Sequence, residues 1–290
     1  IIKGLREGLA GNRITRLYGI LNGTSNYIMT AMRDDGSPFD EVLAEAQRLG
    51  YAEADPALDI GGGDAAHKLA ILASLAFGRP VDFDNVHVEG IQAITPMDIE
   101  FAREFGFCVK LLGIAQVSEH GIEQRVHPCM VPIEAPIASV EGVFNAVVAD
   151  GDFIDTLMQE GRGAGEGPTA SAVVADLVDI ARGHVTPTFA VPATELKRIA
   201  PAPMEHHWGA FYVRLMVVDR PGVFADIAAA MRDHDVSMES VLQHGRDPGE
   251  TVPVVMTTHE SEEAAMTGTI KAIQSLDAVV EPPCLIRIES

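Results

Sequence analysis

The 290-residue sequence is short of positive charge: Lys and Arg number 21 against 42 Asp and Glu, a formal net charge of -21. Its few cations form no stripe that could neutralise a run of phosphates, which excludes nucleic acid and anionic membrane surfaces as partners. Long hydrophobic runs are missing as well. Asp, Lys, His or Arg interrupts every stretch that approaches the roughly 18 to 20 residues needed to span a bilayer. Cysteine is nearly absent: Cys108, Cys129 and Cys284 are odd in number, far apart and without a C-x-x-C pair. No zinc or redox motif is spelled, and a reduced, cytoplasmic compartment is the expectation. An initiating Met is lacking too, and the opening "IIKGLREGLAGNRI" reads as the middle of a helix rather than a signal peptide, so a further N-terminal part is expected outside this sequence.

What is present suits a globular protein. With 47% hydrophobic and 22% charged residues and this length, two domains of ordinary size are expected. "ITRLYGIL" has strand character and ends at "NGTSN", whose hydroxyls and amides can cap a helix. Residues 39 to 50 read as a helix with a Gly stop, followed by the polar loop "YAEADPALDIGGG". "VHVEGIQAIT", "FCVKLLGIAQV" and "IEQRVHPCMV" read as strands, with a helix between them started by Thr95 and Pro96. "GRGAGEGPTASAVVADLVDIAR" reads as a glycine loop feeding a helix from about Thr169 to Arg182. The reading is an α+β fold, mainly β-sheet with helices, over residues 1 to 190, a proline-rich linker or strap over 191 to 209, and a second domain over 210 to 290. From Phe211 onward the order is βαββαβ, the ferredoxin-like arrangement.

The stretch "DAAHKLAILASLAF" from Asp64 to Phe77 carries the most chemistry. It is apolar nearly all round, which marks a buried helix, yet it contains Lys68. Asp64 stands four residues earlier, after three glycines where an N-cap is expected, so the two share a helical face. The ordinary reading is a cap and a surface pair worth about 0.3–0.5 kcal/mol. The alternative is a lysine in apolar surroundings, its pKa drawn down by desolvation and up by a carboxylate, a balance that suits an acid/base group. Glu53, Asp55 and Asp59 in the preceding loop either hold a substrate ammonium or are simply solvated.

Other motifs say less. Gly23 allows close approach to the backbone, and Thr24 and Ser25 offer hydroxyls. Gly161, Gly163, Gly165 and Gly167 alternate rather than fitting G-x-G-x-x-G, and no clear strand precedes them, so this loop supplies at most one wall of a cofactor site. "DRPG", from Asp219 to Gly222, places a glycine at a helix start where a carboxylate could lie, or is a tight turn. His206 and His207 lack H-E-x-x-H context, and no metal site is expected.

"REGLAGNRI", "YGILNGTSNYIM", "GYAEADPALDIGGGDAAHKLAIL", "VEGI", "KLLGIAQ" and "GRGAGEGPTASAVVADLVDIAR" occur in an order that resembles homoserine dehydrogenase over most of residues 5 to 183, and the tail from Phe211 resembles an ACT domain. The resemblance implies NAD(P)-dependent interconversion of L-aspartate 4-semialdehyde and L-homoserine, on the route to threonine, methionine and isoleucine. It implies Lys68 as the acid/base group with Asp64 beside it, Glu53 on the substrate's amino group, and Gly23, Thr24, Tyr51 and Asp59 around the amino acid. Gly163 and Gly165 are implied to close over the nicotinamide side of a cofactor held mainly by an N-terminal Rossmann domain absent from this sequence. Asp219 and Gly222 match the loop where ACT domains often hold an effector, threonine in this family, and a homo-oligomer is implied, a homodimer at least. A different class of reading is a non-catalytic amino-acid-binding or assembly module without the nucleotide domain.

Overall fold

The computed structural model describes residues 1–245, 247 and 249–289. They fall into two compact units: Ile1–Pro96, Lys110–Pro128 and Ile133–Ala202 form the first, and Met97–Val109, Cys129–Pro132 and the chain from Pro203 form the second. No helix among the described residues is long and apolar enough to cross a membrane.

The strands up to the linker are β1 (Ile14–Ile20), β2 (His87–Val88), β3 (Phe107–Ser118), β4 (Gly121–Pro132), β5 (Phe144–Gly151) and β6 (Asp155–Arg162). They are ordered β6-β5-β1-β3-β4, with β2 alongside β4. The helices are α1 (Gly23–Asp35), α2 (Phe39–Arg48), α3 (Ala57–Ile60), α4 (Gly63–Phe77), α5 (Pro96–Glu104) and α6 (Glu166–Ala181). Leu17 and Ile20 of β1, Ile28 and Met32 of α1 and Leu69 of α4 are fully buried, burial that stabilises by roughly 1.5–3 kcal/mol per side chain. The mixed α+β class matches the sequence reading.

The opening residues are helical over positions 2–8, as expected, with a π-helical stretch at Gly4–Gly8. Other local expectations need correction. "VHVEGIQAIT" contributes only the two residues of β2, because the chain then leaves the sheet: the Ile91 N–H donates to Ile60 O at 2.9 Å, at the end of α3. A hairpin, β5 with β6 in unbroken antiparallel register from Phe144–Arg162 to Gly151–Asp155, is absent from the sequence reading. Its second strand runs straight into the glycine loop, so a strand does precede that loop. The proline-rich segment lies as a strap on the first unit, with Ile122 and Ala200 bonded at 2.9 Å and Ala202 to Ile122 at 3.0 Å.

The second unit contains β7 (Trp208–Val218), α7 (Val223–Asp233), β8 (Met238–Leu242), β9 (Thr251–Thr258), the two-residue β10 (Ser261–Glu262), α8 (Glu263–Gln274) and β11 (Cys284–Ile288). Its strands are ordered β11-β7-β9-β8, all antiparallel. Period-two alternation along β7 sends Phe211, Val213, Leu215 and Val217 into a core with Ile227 and Met266 of the two helices. Tyr212 and Arg214 alternate with these, and both reach the fully buried carboxylate of Asp98 on α5. Arg214 Nε donates to Asp98 Oδ1 at 2.7 Å and Nη2 to Oδ2 at 3.3 Å, while the Tyr212 hydroxyl donates at 3.3 Å.

Candidate active site

Asn22 organises the site. Between β1 and α1 it takes an extended conformation, and its Oδ1 accepts the Ser25 N–H at 2.8 Å, capping α1. Its Nδ2 then donates both to Asp59 Oδ1 at 2.7 Å and to Asp64 Oδ2 at 2.8 Å. One amide therefore holds two carboxylates side by side. The Ser25 hydroxyl adds a bond to Asp59 O at 3.1 Å.

Lys68 completes the arrangement. Its Nζ donates to Asp64 Oδ2 at 2.6 Å and to Leu21 O at 3.0 Å. An ammonium has three donors, so one hydrogen is uncommitted among the described residues. The premise that Lys68 sits in apolar surroundings is corrected: its side chain is 49% exposed. α4 keeps an exposed stripe of His67, Lys68 and Ile71, spaced so that they share one face. Composition alone cannot separate a helix packed on every side from one that lines an open cavity. Nor is Asp64 the cap: Gly62, with φ 82°, occupies that position and Asp64 lies in the first turn.

A cavity of about 470 Å³ opens in front of these groups, lined among others by Thr24, Tyr51, Asp59, Asp64 and Lys68. Thr24 Oγ1 donates to Tyr51 O at 2.7 Å, which ties α1 to the loop after α2. The Tyr51 ring lies 4.8 Å from that of Tyr27, whose phenol is raised above its ordinary range by desolvation first and by nearby Glu45 next. Glu53 is not brought into this cavity. Its side chain is exposed, and its backbone carbonyl accepts from Gln47 Nε2 at 3.0 Å.

A second cavity, about 640 Å³, is lined by Ile20, Leu21, Ile71 and Leu72 and shares Lys68, Asn145, Arg162 and Gly163 with the first. Two of the glycines singled out in the sequence explain the join. A Cβ on Gly163 would lie 2.5 Å from Asn145 Oδ1, and one on Gly23 would lie 2.9 Å from the Val143 carbonyl. What approaches Gly23 closely is therefore the chain's own entry into β5, although Gly23 also borders the first cavity. Gly165, with φ 107°, starts α6 in a conformation that favours glycine. Asn22, Asn145 and Arg162 are site residues the sequence reading did not single out. Asn22 is signalled by its capping position, whereas Asn145 and Arg162 stand on the unread hairpin.

In the second unit Asp219 and Gly222 flank the turn from β7 to α7. Asp219 Oδ2 accepts the Asp247 N–H at 2.9 Å, and its backbone pairs with Glu250 O at 2.9 Å and the Gly249 N–H at 3.0 Å. Gly222, with φ 98°, starts α7, and a Cβ there would meet nothing within 4 Å.

The model of the homoserine dehydrogenase family matches residues 1–178, and that of the ACT domain matches residues 211–277. Homoserine dehydrogenase from Neisseria gonorrhoeae is 44% identical over 100% of this chain and 68% of its own length; the enzyme from Pseudomonas aeruginosa is 43% identical with the same coverage. Among solved structures, a homoserine dehydrogenase from Thiobacillus denitrificans superposes with a TM-score of 0.93 at 47% identity, over 99% of this chain and 67% of that one. A hyperthermophilic archaeal homoserine dehydrogenase in complex with NADPH is more distant, with a TM-score of 0.53 at 32% identity over 63% of this chain and 52% of that one.

Proposed function

The chain belongs to the homoserine dehydrogenase family and carries an ACT domain, and on that premise we propose that it interconverts L-aspartate 4-semialdehyde and L-homoserine with NADH or NADPH, as a step toward threonine, methionine and isoleucine. The observation that carries the proposal is the ring of bonds from Asn22 through Asp64 to Lys68 and Leu21, which aims one uncommitted ammonium hydrogen of Lys68 where two cavities meet.

The nucleotide contributes a hydride in reduction and accepts one in oxidation. The second cavity fits its nicotinamide end: the walls are largely aliphatic, and Gly163 leaves backbone bare beside Asn145. It does not fit the whole dinucleotide, because Lys68 and Arg162 are the only cations among its lining residues. The phosphates would then be held by residues outside this sequence, which spans 68% of its relatives' length. An NADPH complex in the archaeal neighbour supports a nicotinamide dinucleotide here.

In this mechanism Lys68 gives a proton to the aldehyde oxygen as it becomes an alkoxide, and takes it back from the homoserine hydroxyl in reverse. Asp64 and the Leu21 carbonyl hold Nζ in place. Asp59, paired with Asp64 through Asn22, faces the substrate ammonium, and Glu53 joins it by movement of its exposed loop. Gly23, Thr24 and Tyr51 close around the amino acid, with Gly163 and Gly165 toward the cofactor. Functional boundaries follow the sequence reading: catalysis and dimerisation over 1–190, a linker over 191–209, regulation over 210–290. Threonine is the proposed effector, at Asp219 and Gly222, in a cytoplasmic homo-oligomer.

The test is homoserine-dependent reduction of NADP and NAD by the complete enzyme, followed at the nicotinamide absorbance. Turnover with either is expected. A folded protein inactive with both would overturn the proposal.

A further inference from the structure

Asn145, the second residue of β5, stands where the two cavities join and lines both. The backbone beside it is unusually well fixed. Asn26 Nδ2 donates to the carbonyls of Val140, Gly142 and Phe144 at 3.1, 3.0 and 3.2 Å, and the buried Lys110 Nζ donates to Val140 O at 2.6 Å. Three carbonyls and an ammonium thus set the path of the chain into Asn145. Its own side chain is confined between two glycines, with Oδ1 2.5 Å from the Cβ position of Gly163 and 3.4 Å from that of Gly23.

Yet this carboxamide makes no hydrogen bond to any described residue. Asn26, one helix away, spends its amide on the fold; Asn145 holds a donor and an acceptor in reserve at a place rigidly provided for them. A partly buried amide left unpaired is costly, about 1–3 kcal/mol when water is kept out. A planar group with one donor and one acceptor side by side would satisfy it, and a polar group held on a fixed backbone is what a binding site requires.

We propose that Asn145 binds the carboxamide of the nicotinamide ring, its Oδ1 accepting from the ligand's NH2 and its Nδ2 donating to the ligand's carbonyl. This rests on the dehydrogenase reading. On that reading the substrate offers no comparable partner: its ammonium and carboxylate are charged, and its reacting oxygen belongs to Lys68. The carboxamide is the one group in the reaction that presents donor and acceptor in a plane. Its ring carbon neighbour is the one that exchanges hydride, so pairing with Asn145 would set that carbon beside Lys68.

The test measures equilibrium binding to the complete enzyme by calorimetry, with NADP, with its 3-acetylpyridine analogue, which keeps the carbonyl but lacks the NH2, and with homoserine. NAD and its analogue replace these if the wild type turns over NAD instead. The wild type is expected to bind the natural nucleotide more tightly than the analogue. N145A is expected to weaken the natural nucleotide roughly tenfold, the loss of about one neutral hydrogen-bond pair, and to bind both nucleotides equally. N145D, which keeps the shape and loses the donor, should shift affinity in the same direction and guards against a loss of packing in N145A. Retention of the wild-type preference in both variants would overturn the inference, as would a loss confined to homoserine. Failure of the dehydrogenase reading is distinct, because there the wild type itself would not oxidise homoserine.

Discussion

Replacing Lys68 with Met keeps the length of the stem and removes the ammonium, and it should separate catalysis from stability. The Lys68–Asp64 pair is an i to i+4 helical pair, 49% and 26% exposed, a setting in which such pairs contribute about 0.3–0.5 kcal/mol. Asp64 keeps its bond from Asn22 Nδ2 at 2.8 Å, so no carboxylate is left bare. The fold should lose no more than about 0.5 kcal/mol in urea unfolding. Removal of a positioned general acid lowers turnover by about 10²–10⁴-fold, which at 1.36 kcal/mol per decade is about 2.7–5.4 kcal/mol. The transition state is expected to lose at least about five times what the fold loses. Steady-state homoserine oxidation, urea unfolding and nucleotide binding on the same preparation check this. A turnover within tenfold of wild type, or an unfolding loss large enough to account for the inactivity, would refute the assignment.

Three further outcomes are expected. Gly163→Ala would put a methyl 2.5 Å from Asn145 Oδ1; since a side-chain end can give way, the unfolding midpoint should hold while nucleotide affinity falls, read by calorimetry. Asp98→Ala and Arg214→Ala each break a buried pair at 2.7 Å and should each cost about 3–5 kcal/mol, with the double variant costing less than the sum; an additive result in urea unfolding would count against the pairing. The Cys284 thiol is pushed up to about 12, by burial first and the Asp98 charge next, from an ordinary 9.0. The folded thiol holds its proton after the unfolded one has released it. Its contribution to stability is therefore intact below pH 9 and lost as pH rises through about 12. Alkylation of Cys284 at pH 8, followed by peptide mapping, should run roughly a thousandfold slower in the folded than in the unfolded protein, from the three-decade difference in thiolate fraction.

The βαββαβ tail is legible because its strands alternate or run apolar between clear turn residues, as in "FYVRLMVV" before "DRPG". The Asp64 and Lys68 pairing is legible because helical spacing alone places them on one face. The β5–β6 hairpin is not: along β6, Asp155–Arg162, no residue is buried, so there is no alternation to read. "VHVEGIQAIT" fails in the opposite sense. Its β-branched composition suits a strand, but Gly90 lies where a Cβ would meet Ile60 O at 2.4 Å, and tertiary packing takes the chain out of the sheet. The local signal at Asn145 is empty as well, since its place depends on bonds from Asn26 and Lys110, 119 and 35 residues away. Loop carboxylates fare between these cases: Asp59 lines the cavity and Glu53 does not, a difference set by the short turn of α3 and invisible in spacing.

Residues 97–109 group with the C-terminal segment rather than with their sequence neighbours, and this bears on any attempt to treat that segment as a transferable cassette. A cut just before Pro203 would remove Arg214 and Tyr212 from Asp98 and strip the stacking partner His244 from Phe101. The remainder would carry an orphan carboxylate and an apolar helix face with Ile99 and Ala102. A hybrid enzyme given a foreign regulatory segment would inherit the same defect unless α5 travelled with it, recoded to match the new sheet. Shuffling of such modules would then proceed not by swapping one contiguous block but by replacing three separated stretches together.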